Sequence, residues 1–303
     1  MSATDLIAIV GPTASGKTGL ALGLAARRPV TVICADSRTI YRGLDIGTAK
    51  PTPAERQATP HYGLDLVTPA DTYSAAQFQQ AARGWIAEAR AAGRLPVIVG
   101  GTGLYVEALL YEYKFGAPVD PERRARLEAM DLPALHALCA EQGIPLPENK
   151  LNKRYVIRAI ELALDHGVQR AQSPRRQRQL PPGTRLIGLD PGREILRQRI
   201  TDRADQMFAG GVIKEALKAA SAYGWDAPGL SGNIYPIIRK LNDGEISRQR
   251  AIELFITADW QLAKRQLTWW RRDKNVQWFG SAAEALPAMC YNEQVNEKDD
   301  ENR

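Results

Sequence analysis

The chain has 303 residues, of which 44% are apolar and 24% charged, with a formal net charge of +6. Those values describe an ordinary soluble globular protein with enough core for one large domain, or for a core and a smaller insertion. No apolar run reaches membrane-spanning length, and the three cysteines (Cys34, Cys139, Cys290) are too far apart for a C-x-x-C zinc site or a disulfide framework.

The first residues, Met1 to Ile9, lack a basic stretch and a small-residue cleavage site, so no export and a reducing, cytoplasmic setting are expected. Leu6 to Val10 reads as a buried strand ending at Gly11. The next residues, Gly11-Pro12-Thr13-Ala14-Ser15-Gly16-Lys17-Thr18, form G-x-x-x-x-G-K-T. Its glycines let backbone N–H groups curl around phosphate oxygens, Lys17 adds positive charge, and Thr18 is placed to hold Mg²⁺. An Ala/Leu-rich helix follows, whose N-terminus favours anions. The loop predicts diphosphate or triphosphate binding; it does not choose a reaction.

Thr31 to Cys34 is a second strand, ending at Asp36, and Leu95 to Val99 a third, ending in Gly100-Gly101. Between them Ser74 is placed to cap a helix with Phe78, Ala82, Trp85, Ile86 and Ala89 on its apolar face. Alternating strands and helices predict an α/β fold, a P-loop NTPase-like parallel sheet with ligands at its carboxyl ends. The loop, Asp36 and Gly100-Gly101 all fall there.

Beyond residue 116 the pattern turns helical. Residues 117–182 read as a helical insertion, with a helix from Asn152 to His166 and a basic, proline-broken loop over 170–185. Leu186 to Asp190 returns the chain to the sheet, so 1–116 and 183–280 form the core. Two long helical patterns, about 193–222 and 246–271, precede a tail over 281–303 expected to be disordered. Basic residues gather at 150–185, 193–203, 239–250 and 264–274, which permits a nucleic-acid partner. His61, His136 and His166 have no partner pattern and are assigned no chemistry.

Several stretches resemble the tRNA dimethylallyltransferase (tRNA isopentenyltransferase) family. They are GPTASGKT (11–18), ADSRTIYRGLDIGTAKP (35–51), DTYSAAQF (71–78), PVIVGGTGLY (96–105), RAIE (158–161), RQRITDRADQM (197–207) and AKRQLTWWR (263–271), in the family's order. The resemblance implies transfer of the dimethylallyl group of dimethylallyl diphosphate to N6 of adenosine 37, in the tRNA anticodon stem-loop. The P-loop would then hold a diphosphate leaving group. The resemblance makes Asp36 the base, carries Arg203 to the diphosphate, and gives Thr13 and Thr102 hydroxyls toward the diphosphate or the allyl end. It sets Ser37, Arg38 and Thr39 beside the target nucleotide. The basic helix face of Lys153, Arg154 and Arg158, and Lys264, Arg265 and Gln266 beside Trp269 and Trp270, are the expected tRNA contacts, with Arg175, Arg176 and Arg178 weaker candidates. Core packing is the better reading for Trp269, and a solvated charge for Arg197 and Arg199. The sequence departs from the family pattern at Thr39, Ile234 and Trp260. A monomer with Mg²⁺ as cofactor is expected; a free-adenylate isopentenyltransferase and a P-loop nucleotide kinase are the alternatives.

Overall fold

The structure, a computed structural model, describes residues 5–115, 120–166 and 179–290. They divide into two compact units, Met1–Glu112 with Gln179–Arg303, and Tyr113–Arg178.

The first unit is built on a six-stranded, wholly parallel sheet. Its strands are β1 (Leu6–Val10), β2 (Val30–Cys34), β3 (His61–Tyr62), β4 (Leu95–Val99), β5 (Thr184–Leu189) and β6 (Gln277–Phe279). Their spatial order is β3-β2-β4-β1-β5-β6. All residues of β1, β2 and β4 are buried, as a sheet covered on both faces requires. Val99 pairs with both Ile9 and Cys34, so three strands end side by side. The loops after β1, β2 and β4 therefore meet at one edge.

Helices α1 (Lys17–Ala25), α2 (Pro53–Ala58), α3 (Ala75–Ala91) and α4 (Gly103–Leu110) connect the first strands. Ser74 caps α3 through a reciprocal pair with Gln77, fixing the start that the sequence predicts. The second unit carries α5 (Pro121–Ala129), α6 (Leu132–Glu141) and α7 (Lys153–His166). Asn152 Oδ1 accepts the Arg154 N–H at the start of α7. Val156, Ile157, Ile160 and Ala163 bury one face of α7 against Leu127, Leu135 and Cys139. Glu161 is buried there, and burial alone would raise its carboxyl. The Arg124 fork at 2.5 and 2.6 Å, with Arg158, holds it below the usual range.

Four helices complete the first unit before its last strand: α8 (Arg193–Ala209), α9 (Val212–Tyr223), α10 (Tyr235–Asn242) and α11 (Arg248–Trp270). The pattern over 193–222 is thus two helices. The chain breaks at Gly210-Gly211, where Gly211 takes φ +99° as the cap of α9. Met207, Phe208, Ile238 and Phe255 from this group pack on Ile40, Tyr41 and Leu44, which fastens the segment after β2 to the helices. Residues 282–290, expected to lie in a tail, form α12 (Ala282–Cys290). Its Ala285 and Met289 are buried with Leu20 and Leu24 of α1, and that apolar pair holds the helix down.

Candidate active site

β1 ends at Gly11, where a Cβ would come within 2.5 Å of the Leu189 carbonyl oxygen, so only glycine lets the loop leave the sheet here. The loop then curls through Ala14 at φ +60° and Gly16 at φ +99°. Gly16 caps α1 without a side-chain hydrogen bond, leaving the first-turn N–H groups to an anion. Lys17 Nζ donates to the carbonyls of Gly11 at 3.1 Å and Pro12 at 2.7 Å. Desolvation brings Lys17 down to about 8; Asp36 opposes that shift and Arg203 adds to it.

The next two loops close on this one. Gly100 donates to the Ile9 carbonyl at 3.2 Å, and a Cβ on it would meet the Ala35 carbonyl oxygen at 2.0 Å. That close approach explains Gly100, and a Cβ on Gly101 would meet Gln266 Nε2 at 2.2 Å. Asp36 Oδ1 accepts the Arg38 N–H at 2.8 Å. Thr102 Oγ1 accepts the Ser37 N–H at 3.0 Å and so ties the β2 loop to the start of α4. Burial first, then the Asp36 charge, pushes the Cys34 thiol up to about 12, so it stays protonated.

Two helices supply the opposite wall. From α8, Arg203 Nη1 donates to Thr13 Oγ1 at 2.5 Å, and Arg199 Nη1 to the Ser15 carbonyl at 3.1 Å. Arg199 is exposed, as a solvated charge is, and its guanidinium also braces the P-loop. Arg197 and Arg193 lie over the Trp260 ring at 6.0 and 5.9 Å, a cation–π stack. From α11, Gln266 Oε1 accepts the Thr13 N–H at 2.7 Å while its Nε2 donates to the Gly101 carbonyl at 3.1 Å.

Thr13 to Thr18, Asp36 to Thr39, Thr102, Arg199, Arg203, Arg265 and Gln266 line one cavity of about 680 Å³. Gly11 and Pro12 are buried behind it.

The segment 44–50 along this cavity is held by groups that the sequence reading missed. The Glu215 carboxylate accepts the N–H groups of Asp45, Ile46 and Gly47 at 2.7, 2.7 and 2.9 Å, and the Tyr235 hydroxyl at 3.0 Å. Burial first, then Glu215, raises the Tyr235 phenol, which stays a donor. A Cβ on Gly47 would strike that hydroxyl at 2.6 Å, so Asp-Ile-Gly is the local signal of the turn. Lys50 donates to the Tyr41 carbonyl, Asp45 and Asp65 at 2.6, 2.7 and 2.6 Å, satisfying all three of its protons.

The residues expected at the tRNA divide. Ser37 and Arg38 border the cavity, and Arg38 Nη1 donates to Ser231 Oγ at 2.9 Å. Thr39 is buried, and its hydroxyl braces the Asp36 carbonyl at 3.3 Å. Lys264 and Arg265 are exposed, whereas both ends of the Gln266 amide are spent inside the protein. Trp270 is fully buried, and Trp269 packs where a Cβ on Gly103 would sit, so neither ring is a free stacking platform. In the second unit Arg154 is exposed, but Lys153 donates to the Glu128 carbonyl at 2.6 Å and Arg158 pairs with Glu161 at 3.3 Å. Arg175, Arg176 and Arg178 lie outside the described residues. His61 and His136 bond the backbone carbonyls of Thr59 and Lys150.

Thr18 is exposed on the cavity wall and offers a hard hydroxyl oxygen of the kind Mg²⁺ takes. Among the described residues, no group of three or more His, Cys, Asp or Glu could hold a metal ion, and no helix is long and apolar enough to cross a membrane.

The family model described as "IPP transferase" matches residues 39–273, and one described as "Isopentenyl transferase" matches 4–68. A tRNA dimethylallyltransferase of Geobacillus thermodenitrificans is 39% identical over 290 residues, covering 90% of each chain. One of Anaeromyxobacter dehalogenans is 40% identical over 285 residues, covering 90% of this chain and 94% of that one. The crystal structure of the tRNA isopentenylpyrophosphate transferase of Bacillus halodurans superposes with a TM-score of 0.72 at 34% identity, covering 99% of this chain and 100% of the other.

Proposed function

The chain belongs to the IPP transferase family, and on that footing we propose that it moves the dimethylallyl group of dimethylallyl diphosphate to N6 of adenosine 37 in the tRNA anticodon stem-loop. Prenyl transfer to tRNA is its activity; the position, the residue roles and the cofactor are our reading. The observation that carries it is the convergence of Asp36, the phosphate loop and Arg203 on one cavity.

In this reading the allylic C–O bond breaks and its electron pair leaves on the diphosphate. The N6 lone pair forms the new C–N bond, and one N6 proton passes to Asp36. Negative charge grows on the diphosphate as it leaves. The first-turn N–H groups, Lys17 and Arg203 face it from two sides, already oriented by Gly16 and by the Thr13 hydrogen bond. An adenine amine is a weak nucleophile, and a carboxylate at N6 assists by taking the proton as the bond forms. The Arg38 N–H, held on one Asp36 oxygen, fixes the carboxylate and leaves the other oxygen for that proton. Thr102 keeps Ser37 and the Asp36 loop in register. Thr18 would hold Mg²⁺, which when bound offsets the diphosphate charge.

Ser37, Arg38, Lys264, Arg265 and, in the second unit, Arg154 serve the RNA. The target base must leave its stack, a cost of roughly a few kcal/mol that is smaller in a single-stranded loop. We place the protein in the cytoplasm as a monomer.

The test is incubation with Mg²⁺, radiolabelled dimethylallyl diphosphate and unmodified tRNA, with AMP and ADP in parallel. N6-dimethylallyladenosine in the tRNA digest is the expected product. Label in free nucleotide alone overturns the tRNA reading in favour of a free adenylate as acceptor.

A further inference from the structure

Three buried polar atoms along this cavity have no hydrogen-bond partner among the described residues: Ser15 Oγ, Arg203 Nε and Asp259 Oδ2. Ser15 and Arg203 are donors beside the phosphate loop, and an anion satisfies them. Asp259, on α11, is a carboxyl group in a pocket otherwise arranged for a polyanion. It is only 4% exposed. Its Oδ1 accepts the Asn233 Nδ2 hydrogen at 3.1 Å, which leaves Oδ2 as the group's open end. Phe255, one turn earlier, Ile234 and Leu262 line the same cavity.

An ionised Asp259 would be a buried charge without a paired cation. Among the described residues no Lys or Arg forms an ion pair with it, and Arg203 is directed to Thr13. Such a charge is costly, and taking up a proton removes the cost. The surrounding charges agree on balance. Burial pushes the Asp259 carboxyl up, Arg203 and the Asn233 hydrogen bond pull it down, and Asp36 pushes it up again, with a net rise. Lys17 from the P-loop, Arg38 after β2, Arg199 from α8 and Arg265 from α11 are the other charged groups that line the cavity. A neutral Asp259 has one O–H to give, at Oδ2, and no protein acceptor takes it among the described residues. The acceptor must come from the ligand. Phosphate oxygens are the acceptors that Ser15 Oγ and Arg203 Nε also await.

Resting on the diphosphate reading above, we propose that Asp259 is a diphosphate-binding residue that works as a neutral acid, donating its Oδ2 hydrogen to a phosphate oxygen while Asn233 holds Oδ1. The group then adds a donor to the cradle and no negative charge.

The experiment is calorimetric binding of inorganic diphosphate with Mg²⁺ to wild type, Asp259→Asn, Asp259→Ala and Asp259→Leu. Asn keeps both an acceptor for Asn233 and a neutral N–H donor toward the cavity, so it should bind within about threefold of wild type. Ala and Leu should bind about tenfold or more weakly, the scale of a lost hydrogen bond to a charged group. As pH rises and the Asp259 carboxyl ionises, the wild-type protein should lose affinity relative to Asp259→Asn, because only the carboxyl ionises and repels the anion. Titration of Lys17 and of the ligand is common to both proteins and cancels in that ratio. A purely structural role would leave the ratio flat. The proposal is overturned if Asn binds as weakly as Ala, if Ala binds as well as wild type, or if the ratio does not move with pH. Diphosphate binding is read without tRNA, so absence of label in tRNA with the wild-type protein defeats the function above and leaves this result standing.

Discussion

Gln266 holds Thr13: its Oε1 takes the Thr13 N–H at 2.7 Å, and its other end reaches the Gly101 carbonyl at 3.1 Å. One side chain thus braces the phosphate loop against the glycine turn after β4. Gln266→Ala should raise the KM for dimethylallyl diphosphate about tenfold, the worth of hydrogen bonds that fix a loop, while the Kd for tRNA stays within about twofold. A collapse of tRNA affinity with normal diphosphate use would return Gln266 to the RNA.

Asp36 stands at the end of β2 with one oxygen on the Arg38 N–H. Asp36→Asn keeps that acceptor and removes the base. Its kcat should fall about 10²- to 10⁴-fold, with tRNA affinity little changed. Steady-state kinetics beside a filter-binding assay separates the two, and equal losses in both would remove Asp36 from the chemistry.

Lys17 titrates near 8 because its ammonium is desolvated, with Asp36 opposing the shift. It carries its charge below that pH and loses it above. The kcat/KM for dimethylallyl diphosphate, which reports the free enzyme, should therefore fall as pH rises past about 8. Lys17→Arg stays charged throughout, and its profile should lose that limb whatever its absolute rate. An identical falling limb in both proteins would assign the titration elsewhere.

Lys50 is 1% exposed and bridges Asp45 and Asp65, which are 59% and 35% exposed. Removing it as Lys50→Met leaves their carboxylates and the Tyr41 carbonyl short of a donor. About 2 kcal/mol of unfolding free energy should be lost, less than for a fully enclosed pair because water reaches both acids. Burial favours the neutral form of Asp65, but Lys50 and Arg56 hold its pKa below the usual value. Its contribution is therefore present above the unfolded carboxylate range and lost as pH falls through the lower folded value. Urea titrations of both proteins should show the gap at neutral pH narrowing in acid.

The parts of this molecule written in local sequence were readable. Apolar runs, broken only by Thr31 in β2, mark β1, β2 and β4 because buried parallel strands need apolar residues on both faces. The G-x-x-x-x-G-K-T loop and the Ser74 cap carry their signals within a few residues. β3 and β6 were not readable: two and three residues give no period, and both exist because a neighbouring strand offers an edge. The division at Gly210-Gly211 was visible as a glycine pair, but the helical period continues through it. Glu215, Arg199 and Asp259 come from distant helices and act by where tertiary packing sets them. Arg197 and Arg199 look alike in sequence, yet one lies on Trp260 and the other on the P-loop. Gln266 sits inside the recognisable A-K-R-Q stretch, but only the fold reveals that both its amide groups are spent on backbone.

The central claim is that a dimethylallyl group leaves diphosphate for N6 of one adenosine in tRNA. Radiolabelled dimethylallyl diphosphate with Mg²⁺ should be offered to two unmodified tRNAs, identical except that one has adenosine 37 replaced by guanosine. The account predicts one labelled N6-dimethylallyladenosine per accepting molecule in the first tRNA and none in the second. Equal label in both, or label in neither, would contradict it.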